Sequence, residues 1–168
     1  MENTQSAIFL TKIGDQIDRI DHLVAQVPDS HLDWTPPIPK AFSVSILLAH
    51  LMESVSGFCA VLCAANPDRL GHFVELKKLS VGGKIGPSEV RARLGTYEDH
   101  IREGFALLTD GDLGRKIPTV FVPEGETILS LLLVNFEHLA SHKYQLFMYL
   151  RLLGVSVASK DLYHFSGQ

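Results

Sequence analysis

Phe9, Ile13, Ile17, Ile20, Val24 and Val27 recur at steps of three and four residues, forming one continuous apolar stripe near the start of the chain. A period near 3.6 can be buried only along one face of an α-helix, so the stripe excludes a strand and demands a partner surface. It predicts a first helix from about Thr4 to Val27, closed by Pro28. A second helix, SVSILLAHLMESVSGFCAVLCAAN, has Ser43 as its N-cap and stops at Asn66-Pro67; it is apolar nearly all round. A third, PSEVRARLGTYEDHIREGFALL, carries Pro87 in its first turn and is more charged. The fourth runs from about Thr127 to Leu153 and ends at Gly154.

The connectors are long. PDSHLDWTPPIPKAFS is proline-rich and holds the single tryptophan, Trp34, which is expected to plug one end of the core. GHFVELKKLSVGGKIG precedes the third helix, and TDGDLGRKIPTVFVPEGE, with a strand-like piece at IPTVFV, precedes the fourth. The tail VSVASKDLYHFSGQ reads as short and irregular, and no internal repeat is present. Four helices with such connectors predict an all-α chain, an antiparallel four-helix bundle, and 168 residues suit a single domain spanning 1–168.

Charge and cysteine usage narrow the function. A formal net charge of -4 gives no basic footprint, so nucleic acid is not an expected partner. The N-terminal MENTQSAIFLTKIGDQIDR lacks a signal core, and the apolar runs read as falling short of the ~20 residues needed to span a bilayer. No membrane association is expected, and the expected location is cytoplasmic. Cys59 and Cys63 share one helical stretch and cannot staple distant elements, which suits a reducing compartment. Their CxxxC spacing is read as two small buried thiols.

Within the fourth helix, NFEHLASHKYQ sets His138 and His142 four residues apart on one face. That is a metal-ligand spacing, but random placement of 8 histidines in 168 residues gives roughly 0.4 such pairs. In bundles, sites are built from side chains that face inward from opposed helices. His50, in ILLAHLMESV, is surrounded by Leu47, Leu48, Leu51 and Met52, and a buried imidazole there needs a partner. His50, His138 and His142 are therefore the candidates to converge. The residues alone leave two readings open, a metal triad or core histidines satisfied by backbone carbonyls or Glu53. Cys59 and Cys63 fall nine and thirteen residues after His50, roughly on its opposite face. Asp15, Asp18 and His22 form a row displaced toward solvent and are read as a solvated face. His31, His72, His100 and His164 show no converging partners.

LLAHL after a Trp-Pro connector, then EHLASHKYQL followed by YLRLLG, resembles the DinB-like superfamily, also called YfiT-like metal-dependent hydrolases. The resemblance spans nearly the whole chain. It implies a homodimeric four-helix bundle that binds a divalent metal, zinc or nickel, through His50, His138 and His142. It also implies a connection to damage-induced expression and, in some members, transferase or isomerase chemistry with low-molecular-weight thiols. The tail motif DLYHF departs from the proline-led version common in relatives.

Three imidazoles would leave coordination positions open on such an ion, where water is acidified to a pKa of roughly 7 and a thiol is deprotonated. Glu53 could orient an imidazole or act as a base, and Asn135 and Glu137 flank the histidine pair. Three classes stay open: a thiol transferase or hydrolase acting on a small-molecule substrate, a metal-binding module without turnover, and a metal-free interaction bundle. An enzyme pocket would be lined by the second and fourth helices and by the connectors carrying Trp34 and Phe121. Leu131, Leu132, Leu133, Val134, Phe136, Leu139, Phe147 and Met148 put apolar surface on more than one face of the fourth helix, which independently predicts a homodimer through helix faces.

Overall fold

The computed structural model describes residues 4–73, 75, 83–119 and 122–163. The four long helices are α1 (Gln5–Val24), α2 (Val44–Ala65), α4 (Pro87–Phe105) and α5 (Ile128–Leu152), with a single-turn helix, α3 (Pro67–Leu70), between the second and third. Thr4, Ser43 and Thr127 cap α1, α2 and α5, each side-chain hydroxyl accepting a first-turn amide. Pro67 ends α2 as expected and then opens α3 at its first position, where a missing N–H costs nothing. Helix α1 stops short of Pro28 because the amides of Gln26 and Val27 turn back three residues, to Leu23 and Val24. Gly154, at φ 78, follows α5 in the left-handed conformation expected of a C-terminal glycine.

Helix α2 packs on both α4 and α5, and α1 packs on the same two. Helices α1 and α2 therefore sit across a diagonal although they are sequence neighbours, and the long proline-rich connector spans it. The stripe predicted on α1 is the buried one: Ile13, Ile17, Ile20 and Val24 are all but inaccessible. Helix α2 contributes Leu47, Leu48, Leu51, Val55, Phe58 and Leu62 to the same core. By length and composition this helix could cross a membrane, contrary to the sequence expectation, but 61% of its most apolar window is buried against the other helices. Trp34 packs at the edge of the core, edge-on to Tyr149 at 5.5 Å between ring centres.

Two glycines set how closely the helices approach. A β-carbon at Gly104 of α4 would lie 2.8 Å from Cβ of Leu62 on α2, and one at Gly57 of α2 would lie 2.3 Å from Oδ1 of Asn135 on α5. Asn135, expected to flank the histidine pair, thus fills the space against Gly57 and donates to the Leu131 carbonyl at 3.1 Å.

The strand-like piece IPTVFV is realised at its first residue. Lys116–Ile117 (β1) pairs antiparallel with Glu126–Thr127 (β2), Lys116 opposite Thr127, while residues 120 and 121 lie outside the described ones. Residues 155–163 of the tail are more regular than expected. A short 3-10 turn at Ser159–Asp161 packs back on α1. There the carbonyl of Leu162 accepts a 2.6 Å hydrogen bond from Lys143 Nζ, and Lys143 is only 4% exposed.

Candidate metal centre

His50 lies on α2 seven residues beyond the Ser43 cap, and His138 and His142 lie on the adjoining face of α5. Their ring centres are 5.1 Å (His50 to His138), 4.5 Å (His50 to His142) and 4.6 Å (His138 to His142) apart. One ring nitrogen from each lies within 4.8 Å of those of the other two, and among the described residues this is the one such gathering of three His, Cys, Asp or Glu side chains. Nitrogens sharing a tetrahedral ion at 2.0–2.1 Å are about 3.3 Å apart, so the rings stand within about 1.5 Å of that spacing.

What the other ring nitrogens do decides which lone pairs are free. Nδ1 of His50 is 2.9 Å from the Glu53 carboxylate, which can only accept when ionised, so that nitrogen carries the proton. Nδ1 of His138 is 3.2 Å from Ser54 Oγ. Ser54 has one hydroxyl proton and donates it to the His50 carbonyl at 3.0 Å, so it can only accept from His138. Nδ1 of His142 is 2.9 Å from Oε1 of Gln145, whose amide donates to the Tyr149 hydroxyl at 3.1 Å, which in turn donates to the Phe42 carbonyl at 3.1 Å. All three imidazoles are thereby held as Nδ1–H tautomers with Nε2 lone pairs available. Outer partners of this kind fix the tautomer and orientation of metal-ligating histidines.

Protonation favours the same state. Burial, followed by repulsion from the neighbouring imidazoles, holds His138 below the ordinary histidine value; burial lowers His142 too, opposed by its hydrogen bond to Gln145 and aided more weakly by His50. Neutral rings at pH 7 are what a metal requires. The cluster is also open on one side, with the His50 side chain 29% accessible and Phe42 stacked edge-on to it at 5.4 Å.

The remaining sequence candidates separate cleanly from this cluster. Cys59 contacts the Tyr97 carbonyl on α4, on the far side of α2, and burial pushes its thiol up to about 12; Cys63 contacts the Leu70 carbonyl. Both thiols are free. His22 is not simply solvated, because the tail returns to it and its Nε2 meets Asp161 at 2.7 Å. His72 and His100 do meet a partner set: His72 hydrogen-bonds Glu103 at 3.0 Å and lies 5.9 Å from the His100 ring, with Phe73 between α3 and α4 against it. His100 gives its Nδ1 proton to the Thr96 carbonyl at 2.7 Å. His164 and Phe121 fall outside the described residues. The sequence reading missed Ser54, Gln145 and Tyr149; Ser54, four after His50, and Gln145, three after His142, were each visible as a polar residue one helical turn from a candidate, and Tyr149 lies a further turn on, four after Gln145.

Fold and site together define a class, a helical bundle whose two adjoining core helices gather three imidazoles able to hold a metal ion. The chain belongs to the DinB superfamily, whose sequence profile matches residues 13–146. In fold it is similar to a crystallographically solved DinB-like protein, YjoA, of Bacillus subtilis, with a TM-score of 0.65 and 19% identity over 95% of this chain and 98% of that one. No curated protein matches the sequence.

Proposed function

We propose that this protein binds one divalent metal ion, zinc or nickel, through Nε2 of His50, His138 and His142 and uses it in thiol-transfer or hydrolytic chemistry on a small molecule. The observation that carries the reading is the saturation of all three Nδ1 atoms by Glu53, Ser54 and Gln145, which leaves three Nε2 lone pairs with nothing else to do. A structural zinc site is closed by four protein ligands; three ligands and an accessible side fit a site that admits a further molecule. The ion, when bound, supplies acidification of a coordinated water or thiol. Glu53 keeps the His50 proton on Nδ1 through a carboxylate that is itself largely exposed. Two free thiols fit a reducing compartment, and the cytoplasm is the proposed location.

Elemental analysis of protein purified without chelator or affinity tag tests the proposal. One equivalent of zinc or nickel per chain is expected. His50→Ala and His138→Ala should each abolish it, whereas His22→Ala, whose ring serves Asp161, should leave it intact. The metal-loaded protein should melt higher than the stripped one, because a ligand of the folded state alone stabilises it. Full metal content in His50→Ala would overturn the ligand set.

A further inference from the structure

A groove of about 470 Å³ runs between α5 and residues 38–41 of the proline-rich connector. Four large apolar side chains that lie open to solvent meet along it: Ile38 at 60% exposure, Tyr144 at 53%, Met148 at 37% and Leu152 at 57%. One charge lies among its lining residues, Lys40. Its ammonium has no ion-pair or hydrogen-bond partner among the described residues, and no carboxylate lines the groove to neutralise it. Lys40 also sits at φ 63, the left-handed conformation that glycine takes without penalty, in a turn closed by the Ala41 amide on the Ile38 carbonyl at 3.2 Å. A side chain kept in a strained backbone beside an apolar groove points to a role for its charge. The inner wall includes Gln145, so the groove adjoins the triad through the residue that orients His142.

We infer that this groove is a binding site for a small amphipathic monocarboxylate, its hydrocarbon along Tyr144, Met148 and Leu152 and its carboxylate on Lys40. The groove is open along one side and could take an extended small molecule, and its lining, mostly apolar with Lys40 as its one charge, suits an amphipathic anion. The site stands whether or not the triad carries a metal, so it is tested in chelator-treated protein. The single tryptophan gives the readout, since Trp34 packs on Tyr149, which lines the groove. Sodium octanoate is titrated against Trp34 fluorescence, with 1-octanol as the uncharged probe of equal chain length. A saturable change is expected for octanoate, tighter than for octanol. Lys40→Gln should weaken octanoate about fivefold, the upper range for an exposed ion pair, and erase its advantage over octanol. Leu152→Asp, at an exposed position that leaves the melt unchanged, should abolish octanoate binding. Absence of saturation, or Lys40→Gln binding octanoate as tightly as the unaltered protein, overturns the inference. So does a finding that octanoate fails to bind while Leu152→Asp converts a dimer to a monomer, which would make the groove a face between two copies of the chain.

Discussion

Ser54→Ala is the most informative single change at the triad, because Ser54 touches no metal in the proposed site and yet determines what His138 can do. Its hydroxyl is 2% exposed as a residue, donates to the His50 carbonyl at 3.0 Å and accepts from His138 Nδ1 at 3.2 Å. Removing it leaves the half-buried Nδ1–H without an acceptor, at a cost of about 1–3 kcal/mol. The ring can avoid that cost only by moving its proton to Nε2 or by rotating, and either withdraws the lone pair from the cluster. The expected result is a 10- to 100-fold loss of zinc affinity, about 1.4–2.7 kcal/mol, in the range found for outer partners of metal-bound histidines. Competition against a chromogenic chelator at pH 7 measures it, and melting of the chelated variant checks that the fold survives. Glu53→Gln is the comparison: its side chain is 57% exposed and the amide oxygen still accepts from His50, so the loss should be smaller. Wild-type affinity in Ser54→Ala would refute the tautomer argument, since Nε2 would then be available without the serine.

Three further outcomes are expected. Gly104→Ala should lower stability to urea although alanine is the better helix former by about 1 kcal/mol, because the new methyl meets Leu62 at 2.7–3.0 Å and overpacking of this kind costs about 1–3 kcal/mol or more; a stabilised variant would contradict the close approach of α4 to α2. The Asp110 carboxylate accepts from the amides of Ser6 and Gln5 at 3.0 and 2.9 Å, which holds it below the ordinary value of 3.8, so its contribution is full above that value and is lost as pH falls through the lowered one; melting temperature should fall in acid, and Asp110→Asn should melt lower at pH 7 and lose less on acidification. For assembly we propose a homodimer through the exposed Leu133 and Val134 at the start of α5: light scattering should give twice 18.6 kDa, reduced to one chain by Val134→Glu, and a monomer at tens of micromolar for the unaltered protein would sink it.

The parts of the fold that were legible in the sequence are those governed by local chemistry. The stripe on α1, the cap at Ser43, the start of α5 near Thr127, and Pro87 at the start of α4 each act over one or two turns, so pattern alone locates them. What depends on distant chain was not legible. Lys143 is buried because residues 158–163 return over it, which no local pattern around it announces; His22 reads as solvated and meets Asp161 for the same reason. The diagonal placement of α1 and α2 is likewise a property of connector length and of packing on α4 and α5, not of any one segment.

The candidate site divides along the same line, and the division explains its chemistry. Sequence spacing brings His138 to His142, Glu53 to His50 and Gln145 to His142, each three or four residues apart, but not Ser54 to His138, which stands on the other helix. Only packing brings α2 to α5, and there Gly57 matters, because a β-carbon at that position would strike Asn135, three residues before His138. One bond crosses between the two helices within the outer shell: Ser54 on α2 accepts from His138 on α5 while donating to the His50 carbonyl. The orientation of a ring on one helix is therefore tied to the backbone that carries the ring on the other. A displacement of α5 against α2 would disturb all three imidazoles together, so the geometry of the cluster is set by how the bundle packs as much as by the histidines themselves.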